Sequence, residues 1–164
     1  MVRQLVAFIL SEGPLSEGLL GERQYALPLA AVRRVERMVE VTPLPSAPEV
    51  VLGVIDVRGS IVPVMSMRKR FGMTEPETSP SDQLIVADAG GRSVALVVNS
   101  VTGVVERMAE EITEAERIVD GAQYVEGISR LEGGILLIHD LDRFLSQREE
   151  KQLDGLMAQA ARTE

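Results

Sequence analysis

Few side chains in this chain of 164 residues have the chemistry for catalysis or metal binding. His139 precedes Asp140 and lies near Asp142, and a histidine beside two carboxylates can bind a metal ion or transfer a proton. The sequence holds one histidine and no cysteine, so a second imidazole and any thiolate ligand are lacking. His139 also ends the apolar run 135–139, which favours a buried structural histidine near a helix start. We predict no catalytic residue, no metal site and no cofactor.

A different chemical group, the guanidinium of Arg58, lies at the turn of a predicted β-hairpin. Residues 52–67 read LGVIDVRGSIVPVMSM, in which two apolar, β-branched runs flank Arg58, Gly59 and Ser60. The glycine suits the turn because it adopts a positive φ at no steric cost, whereas the hairpin has no need of an arginine. Although most turn charges are solvated surface groups, we predict that Arg58 has a binding role.

The composition limits the classes of function. Hydrophobic residues make up 45% of the chain and aromatic residues only 3%, so a folded core must consist mainly of aliphatic side chains. A formal net charge of −8 argues against nucleic acid as a partner, because phosphate contacts need clustered lysine and arginine. No apolar run approaches the roughly 20 residues that cross a bilayer, and the N-terminus lacks a signal-peptide layout. We predict a cytoplasmic protein without direct membrane insertion.

The elements that position these groups are short strands, and the sequence repeats them. Four segments recur in the same order, which indicates an internal repeat: residues 4–7 as 83–86, 26–27 as 95–96, 36–38 as 106–108, and 53–67 as 127–141. Each half contains about five predicted strands, the content of a small barrel. The repeat places Glu132 at the position of Arg58, so the turn itself does not require a cation.

The predicted organisation is a mainly β chain with its boundary at the proline-rich, acidic segment 73–82. Residues 1–75 form the first barrel, residues 80–140 the second, and residues 141–164 a C-terminal helix with leucines at helical spacing. The acidic stretch 109–117 is predicted to be a further helix. Residues 11–22 hold several glycines and acidic residues, which predicts a loop.

Three motifs of the first half resemble the CheW family of bacterial chemotaxis adaptors. They read YALPLAAVRRV at residues 25–35, TPLPSAP at 42–48 and GVIDVRGSIVPV at 53–64. With the leucine-rich segment from Leu141 onward, the resemblance covers nearly the whole chain. It implies two SH3-like five-stranded β-barrel subdomains with short helices and a C-terminal helix. It also implies no enzymatic activity and a role as an adaptor that couples chemoreceptors to the histidine kinase CheA.

The resemblance further implies partners and a partner-binding surface. The expected partners are the regulatory domain of a CheA-type kinase and the cytoplasmic tip of chemoreceptors, so the protein is expected at membrane-bound receptor arrays. The family's binding surface corresponds to Arg58 and Gly59 at the turn, and to Val32, Arg34 and Val35 on a strand of the first barrel. Because Val32 and Val35 are three residues apart, either one of them is core and the other outward, or a bulge turns both outward.

Two features depart from the family pattern. An acidic residue that can pair with the turn arginine often stands where this chain has Arg34, so two cations face the same region unless Glu36 takes over the pairing with the turn arginine. The loop at residues 11–22 is also longer than the usual turn. These departures leave open an adaptor of a pathway other than chemotaxis. The alternative from another functional class is a double β-barrel module that binds a small ligand.

Overall fold

The computed structural model describes residues 1–11, 22–74, 77–114, 124–131 and 134–162. Its strands are β1 (Val2–Ser11), β2 (Glu22–Pro28), β3 (Val32–Arg37), β4 (Val51–Val57), β5 (Ser60–Ser66), β6 (Gln83–Ala89), β7 (Arg92–Val98), β8 (Ser100–Met108), β9 (Ile112–Glu114), β10 (Val125–Leu131) and β11 (Gly134–His139). Its helices are α1 (Met67–Arg70) and α2 (Gln147–Arg162), and 3₁₀ turns cover Leu29–Ala31, Ala109–Glu111 and Leu141–Arg143. The predicted mainly β class with short helices and a C-terminal helix is confirmed. No described helix combines the length and the apolar character that a membrane span needs.

The strands form two sheets. A six-stranded sheet has the order β8-β1-β2-β11-β10-β9, and a five-stranded sheet has the order β3-β6-β7-β5-β4. Within the described residues neither sheet closes by pairing its two end strands, so both are open sheets. In the six-stranded sheet the end strands β8 and β9 follow each other in the chain, and the 3₁₀ turn Ala109–Glu111 separates them.

The two halves of the sequence exchange strands between these sheets. The hairpin β1–β2 pairs with β8 and β11 from the second half, while the hairpin β6–β7 pairs with β3 and β5 from the first half. The strands are therefore not divided between the sheets at residues 73–82, as two successive barrels at residues 1–75 and 80–140 would require. The physical reason is that each of these hairpins is apolar on both faces, so it needs cover from both halves.

The internal repeat is visible in the strand registers. In the β4–β5 hairpin Gly53 lies opposite Val64, and in the β10–β11 hairpin Gly127 lies opposite Ile138. Both hairpins shift register directly before this glycine. The parallel neighbours match as well, because Val64 pairs with Ala95 of β7 and Ile138 pairs with Ala26 of β2. The two sheets are thus copies of one arrangement.

Two other sequence expectations have different outcomes. The helix predicted at residues 109–117 is wrong for Ile112–Glu114, which form β9 and pair with β10. This pairing satisfies the backbone and packs Ile112 against the core of the six-stranded sheet, which outweighs the helix preference of the acidic residues. Residues 12–21 of the predicted loop, residues 115–117 and Glu132 lie outside the described residues.

The buried residues form three cores. One is enclosed by the five-stranded sheet and another by the six-stranded sheet, while a third and larger core lies between the sheets. Successive side chains of β7 alternate between them: Ala95 and Val97 belong to the core of the five-stranded sheet, and Val94, Leu96 and Val98 to the shared core. The central strands are apolar on both faces because both faces are buried.

The shared core contains a continuous row of ring contacts. Ring centroids are 6.0 Å apart for Phe8 and Tyr25, 4.9 Å for Tyr25 and Phe71, 5.1 Å for Phe71 and His139, and 5.5 Å for His139 and Phe144. The row joins the N-terminal strands to the segment before α2. A chain with only five aromatic residues thus places four of them in one row across the junction of its two sheets.

Two arginines of α1 fasten the same junction through polar contacts. Arg68 is fully buried and donates from Nε to the carbonyl of Ser11 at 2.8 Å, and its guanidinium also bonds the Asn99 side chain. Arg70 donates from Nη2 to both carboxylate oxygens of Glu149 at 2.7 and 2.8 Å, and its guanidinium carbon lies 5.0 Å from the centre of the Tyr124 ring. These contacts tie α1, which directly follows the β4–β5 hairpin, to β1 and to α2.

We expect Gly53→Ala to destabilise the fold and Gly155→Ala to stabilise it. A Cβ at Gly53 would lie 2.1 Å from the Thr42 carbonyl oxygen, a backbone atom that also accepts a hydrogen bond from Val54. We expect a loss of about 3 kcal/mol in the free energy of unfolding, measured by urea denaturation. Gly155 lies in α2 with open space at its Cβ position, so alanine there should add about 0.5–1 kcal/mol. Equal urea-denaturation midpoints for Gly53→Ala and Gly155→Ala would contradict the close approach of Gly53 to Thr42.

We also expect acid to destabilise the shared core through His139. Burial lowers the pKa of His139 from 6.5 to about 4; the Tyr124 carbonyl opposes this shift in part, and the positive charge of Arg70 adds to it. Neither ring nitrogen meets hydrogen-bond geometry with a described residue. Because the pKa of His139 is lower in the folded state, the unfolded state binds more protons between pH 6.5 and 4. The contribution of His139 to the free energy of unfolding is therefore complete above pH 6.5, and it falls by about 3 kcal/mol by pH 4.

The measurement is urea denaturation from about pH 7.5 down to about pH 5, above the range in which carboxylates titrate. His139→Leu removes the only imidazole of the chain, so its stability should stay nearly constant over this range. An equal loss in the wild type and in His139→Leu would show that another group is responsible.

Candidate functional site

The tip of the β4–β5 hairpin is a two-residue turn, Arg58 and Gly59. Val57 pairs with Ser60, so Ser60 belongs to β5 and not to the three-residue turn predicted from the sequence. The φ angles of Arg58 and Gly59 are 52° and 88°, and two positive values are typical of a type I′ turn. The carboxylate of Asp56 accepts a hydrogen bond from the Gly59 amide at 2.7 Å and so holds the turn.

Arg58 is strained at this position. Glycine, asparagine and aspartate are the residues that this kind of turn favours, and another residue with a left-handed backbone costs about 1 kcal/mol. Its side chain is exposed and makes no hydrogen bond or salt bridge with any described residue. The backbone of Arg58 thus carries a conformational cost that no hydrogen bond or salt bridge with a described residue offsets, which points to a role outside the hairpin.

Strand β3 presents its two valines to different surroundings. Val32 is partly buried and packs against the shared core, whereas Val35 is 41% exposed. The pairing of β3 with β6 shifts register between Val32 and Arg34, but burial still alternates along the strand. Of the two arrangements that the spacing allowed, the structure shows the one with a single outward valine.

Arg34 is accompanied by Glu36 on the same strand. Their Nε and Oε1 atoms are 3.6 Å apart, and both side chains are about one-third exposed. Glu36 thus lies beside Arg34, and within the described residues it makes no ion pair or hydrogen bond with Arg58. The contact is too long for a hydrogen bond, and the buried Nε atom of Arg34 has no hydrogen-bond partner among the described residues.

Two grooves flank the hairpin tip, and Val57 lines both of them. A shallow groove of about 120 Å³ contains Arg58 together with Glu36, Arg37 and Val39. A second groove of about 340 Å³ contains Arg34. The structure thus brings Arg58 and Arg34 to the two sides of one hairpin, with Gly59 exposed between them. Val32, which the resemblance assigns to the binding surface, is partly buried and packs against the shared core.

The sequence analysis missed two residues of this surface. Val39 is 49% exposed in the Arg58 groove, and the charged residues Arg37 and Glu40 on either side of the pair Met38 and Val39 are the signal that could have identified it. Asp56 holds the turn, and its spacing of three residues from Gly59 matches the side-chain-to-backbone bond that aspartate forms in turns.

The histidine considered for chemistry lies elsewhere. His139 is fully buried between Phe71 and Phe144 in the shared core. Asp140 caps the following 3₁₀ turn by accepting a hydrogen bond from the Asp142 amide at 3.1 Å. Across the described ranges, no group of three or more histidine, aspartate or glutamate side chains is arranged to hold a metal ion.

Comparison with known proteins gives a consistent result. The CheW-like domain model matches residues 19–149. The chain is 27% identical over 151 residues to the chemotaxis protein CheW of Rhizobium meliloti, covering 91% of each chain, and 27% identical over 139 residues to that of Klebsiella aerogenes, covering 84% of each.

A solved structure extends this similarity to the fold. The scaffolding protein CheW of Thermoanaerobacter tengcongensis superposes with a TM-score of 0.76 at 26% sequence identity, covering 91% of this chain and 96% of the other. The sequence motifs, the duplicated sheets and these matches agree. The chain therefore belongs to the family of CheW-like domains, a family of scaffold and adaptor proteins.

Proposed function

We propose that this protein is a non-enzymatic scaffold that couples chemoreceptors to a CheA-type histidine kinase, with the β4–β5 hairpin tip as a docking point. The observation that carries the proposal is Arg58, an exposed cation in a left-handed backbone conformation that has no hydrogen-bond or ion-pair partner in the part of the chain that the structure describes. The turn does not need a cation, and the resemblance to the CheW family, which implies partner contacts at this turn, supports the proposal.

The chemistry of the tip suits a protein partner. A guanidinium offers five donors in a planar fork that matches carboxylates and backbone carbonyls. Beside it, Val35 and Val39 expose apolar side chains that a partner can bury. A cation adjacent to exposed apolar groups is typical of protein interfaces, in which arginine is enriched and charged rims surround apolar centres.

The family suggests the partners and the place of action. The regulatory domain of the kinase and the cytoplasmic tip of the receptors are the proposed partners, so the protein acts in the cytoplasm at membrane-bound receptor arrays. The direct experiment is a binding isotherm for the wild-type chain against each partner separately. Absence of binding to both would exclude the coupling role.

We expect Arg58→Asn to raise stability while it lowers affinity for a partner. Asparagine tolerates the left-handed backbone, so relief of strain should add about 0.5–1 kcal/mol to the free energy of unfolding and raise the melting temperature by about 1–4 °C. Loss of the guanidinium should weaken binding roughly fivefold to tenfold. Thermal melts and binding isotherms on the same preparation measure both effects.

The matched control is Arg148→Asn, which removes the same charge from an exposed position at the start of α2. It should leave affinity unchanged. Arg58→Glu gives the turn the charge that Glu132 has in the repeat, so it should fold normally and bind more weakly than Arg58→Asn. Wild-type affinity in both Arg58 variants would make this residue an ordinary surface cation.

The two valines of β3 should separate stability from binding. Val32→Ala removes methyl groups that pack on the shared core, so it should lower the free energy of unfolding by about 1 kcal/mol. Val35→Ala changes an exposed side chain, so it should leave the melting temperature unchanged and weaken partner binding. If both variants lower stability equally and neither changes affinity, β3 contributes only to the core.

A further inference from the structure

The larger groove beside the hairpin tip has an unusual charge pattern. It has a volume of about 340 Å³ and lies between β3, the start of β5, the start of β7 and α2. Its charged lining residues are Arg33, Arg34 and Arg92, and among the described residues no carboxylate lines it. Below the arginines, Val57, Ile61 and other aliphatic side chains form an apolar floor.

This pattern is not a general property of the surface. The chain has 25 acidic residues against 17 lysines and arginines. A groove of about 430 Å³ on the six-stranded sheet is lined by Arg3 and Arg143 together with Glu114, Glu126 and Asp140. Of these two grooves of the described structure, the one beside the hairpin has arginines and no carboxylate in its lining, and the other provides an internal comparison.

The three arginines can accept new partners. Arg33 pairs with Asp88 at 2.9 Å, but its side chain is 60% exposed. Arg92 is 24% exposed and pairs with Asp154, whose side chain is 62% exposed. Ion pairs with such exposed members contribute little to stability, so a competing carboxylate can replace Asp88 or Asp154 at small cost. The Arg34 side chain is about one-third exposed, and its Nε atom has no hydrogen-bond partner among the described residues because Glu36 lies too far away to bond it.

We propose that this groove binds an acidic segment of a protein partner, with carboxylates on the arginines and an apolar side chain on the floor. Charge complementarity argues for this occupant, because a chain with a net charge of −8 presents three cations at one apolar groove. Ser60 and Ser93 at the groove add hydroxyl groups that can bond a carboxylate or a backbone carbonyl. Val57 connects this groove to that of Arg58, so a bound segment continues onto the hairpin tip.

The proposal rests on the scaffold role only in naming a protein as the occupant, and its test uses neither kinase nor receptor. The probe is an acetylated hexapeptide of alternating glutamate and leucine, compared with the same peptide carrying glutamine in place of glutamate. NMR titration follows the Ser93 amide, the Met157 methyl group and the Arg34 Nε–H. At low salt we expect the glutamate peptide to bind at least roughly fivefold more tightly than the glutamine peptide. This difference in affinity should shrink as the salt concentration is raised to roughly 0.5 M.

Matched variants locate the binding. Arg34→Met should lower the affinity for the acidic peptide at least roughly threefold, whereas Arg3→Met, in the comparison groove, should leave that affinity unchanged. Should Arg34→Met fold poorly, Arg33→Gln, at a mostly exposed side chain, gives the same test. Equal affinity for the two peptides, larger shifts at Glu126 than at Ser93, or full affinity in the arginine variants would overturn the proposal. These results leave coupling through Arg58 untouched, and loss of that coupling leaves the peptide result untouched.

Discussion

The fold depends on the burial of four central strands on both faces. β1, β2, β6 and β7 direct alternate side chains into the core of their own sheet and into the core that the two sheets share. Each sheet is completed only by strands from the other half of the sequence. Since neither half can cover both faces of its own hairpin, the halves depend on each other for stability, and small size makes this dependence stronger.

Ring and arginine contacts make this junction specific. The row from Phe8 to Phe144 fills it with flat side chains, and Arg68 and Arg70 supply directional bonds at its edges. Burial and the bonds from Ser146 and Arg70 have opposite effects on the pKa of Glu149, and the hydrogen bonds prevail, so its pKa is lowered and the Arg70 pair stays charged. Burial lowers the pKa of His139 to about 4, so its imidazole is neutral near pH 7. The junction therefore contains a charged pair close to an uncharged imidazole.

A rigid junction allows the hairpin tip to carry strain. The β4–β5 pairing fixes a two-residue turn, Asp56 bonds its backbone, and Arg58 is held in a conformation that it would not adopt alone. Because the backbone of Arg58 is already ordered, binding by a partner would restrict only the side chain of this residue. The two grooves on either side of the tip extend the surface available to a partner, one beside Val39 and one beside three arginines.

The sequence by itself determined the mainly β class, the internal repeat, the hairpin at residues 52–67 and the selection of Arg58, because alternation and turn glycines act between residues close in the chain. It did not determine the exchange of strands, since a strand buried on both faces has the same pattern whichever half covers it. Nor did it determine the left-handed backbone of Arg58, which follows from the pairing of Val57 with Ser60. The burial of Val32 and the arginine groove also depended on tertiary structure, because they arise where β3, β5 and α2 meet, and only long-range packing brings those elements together.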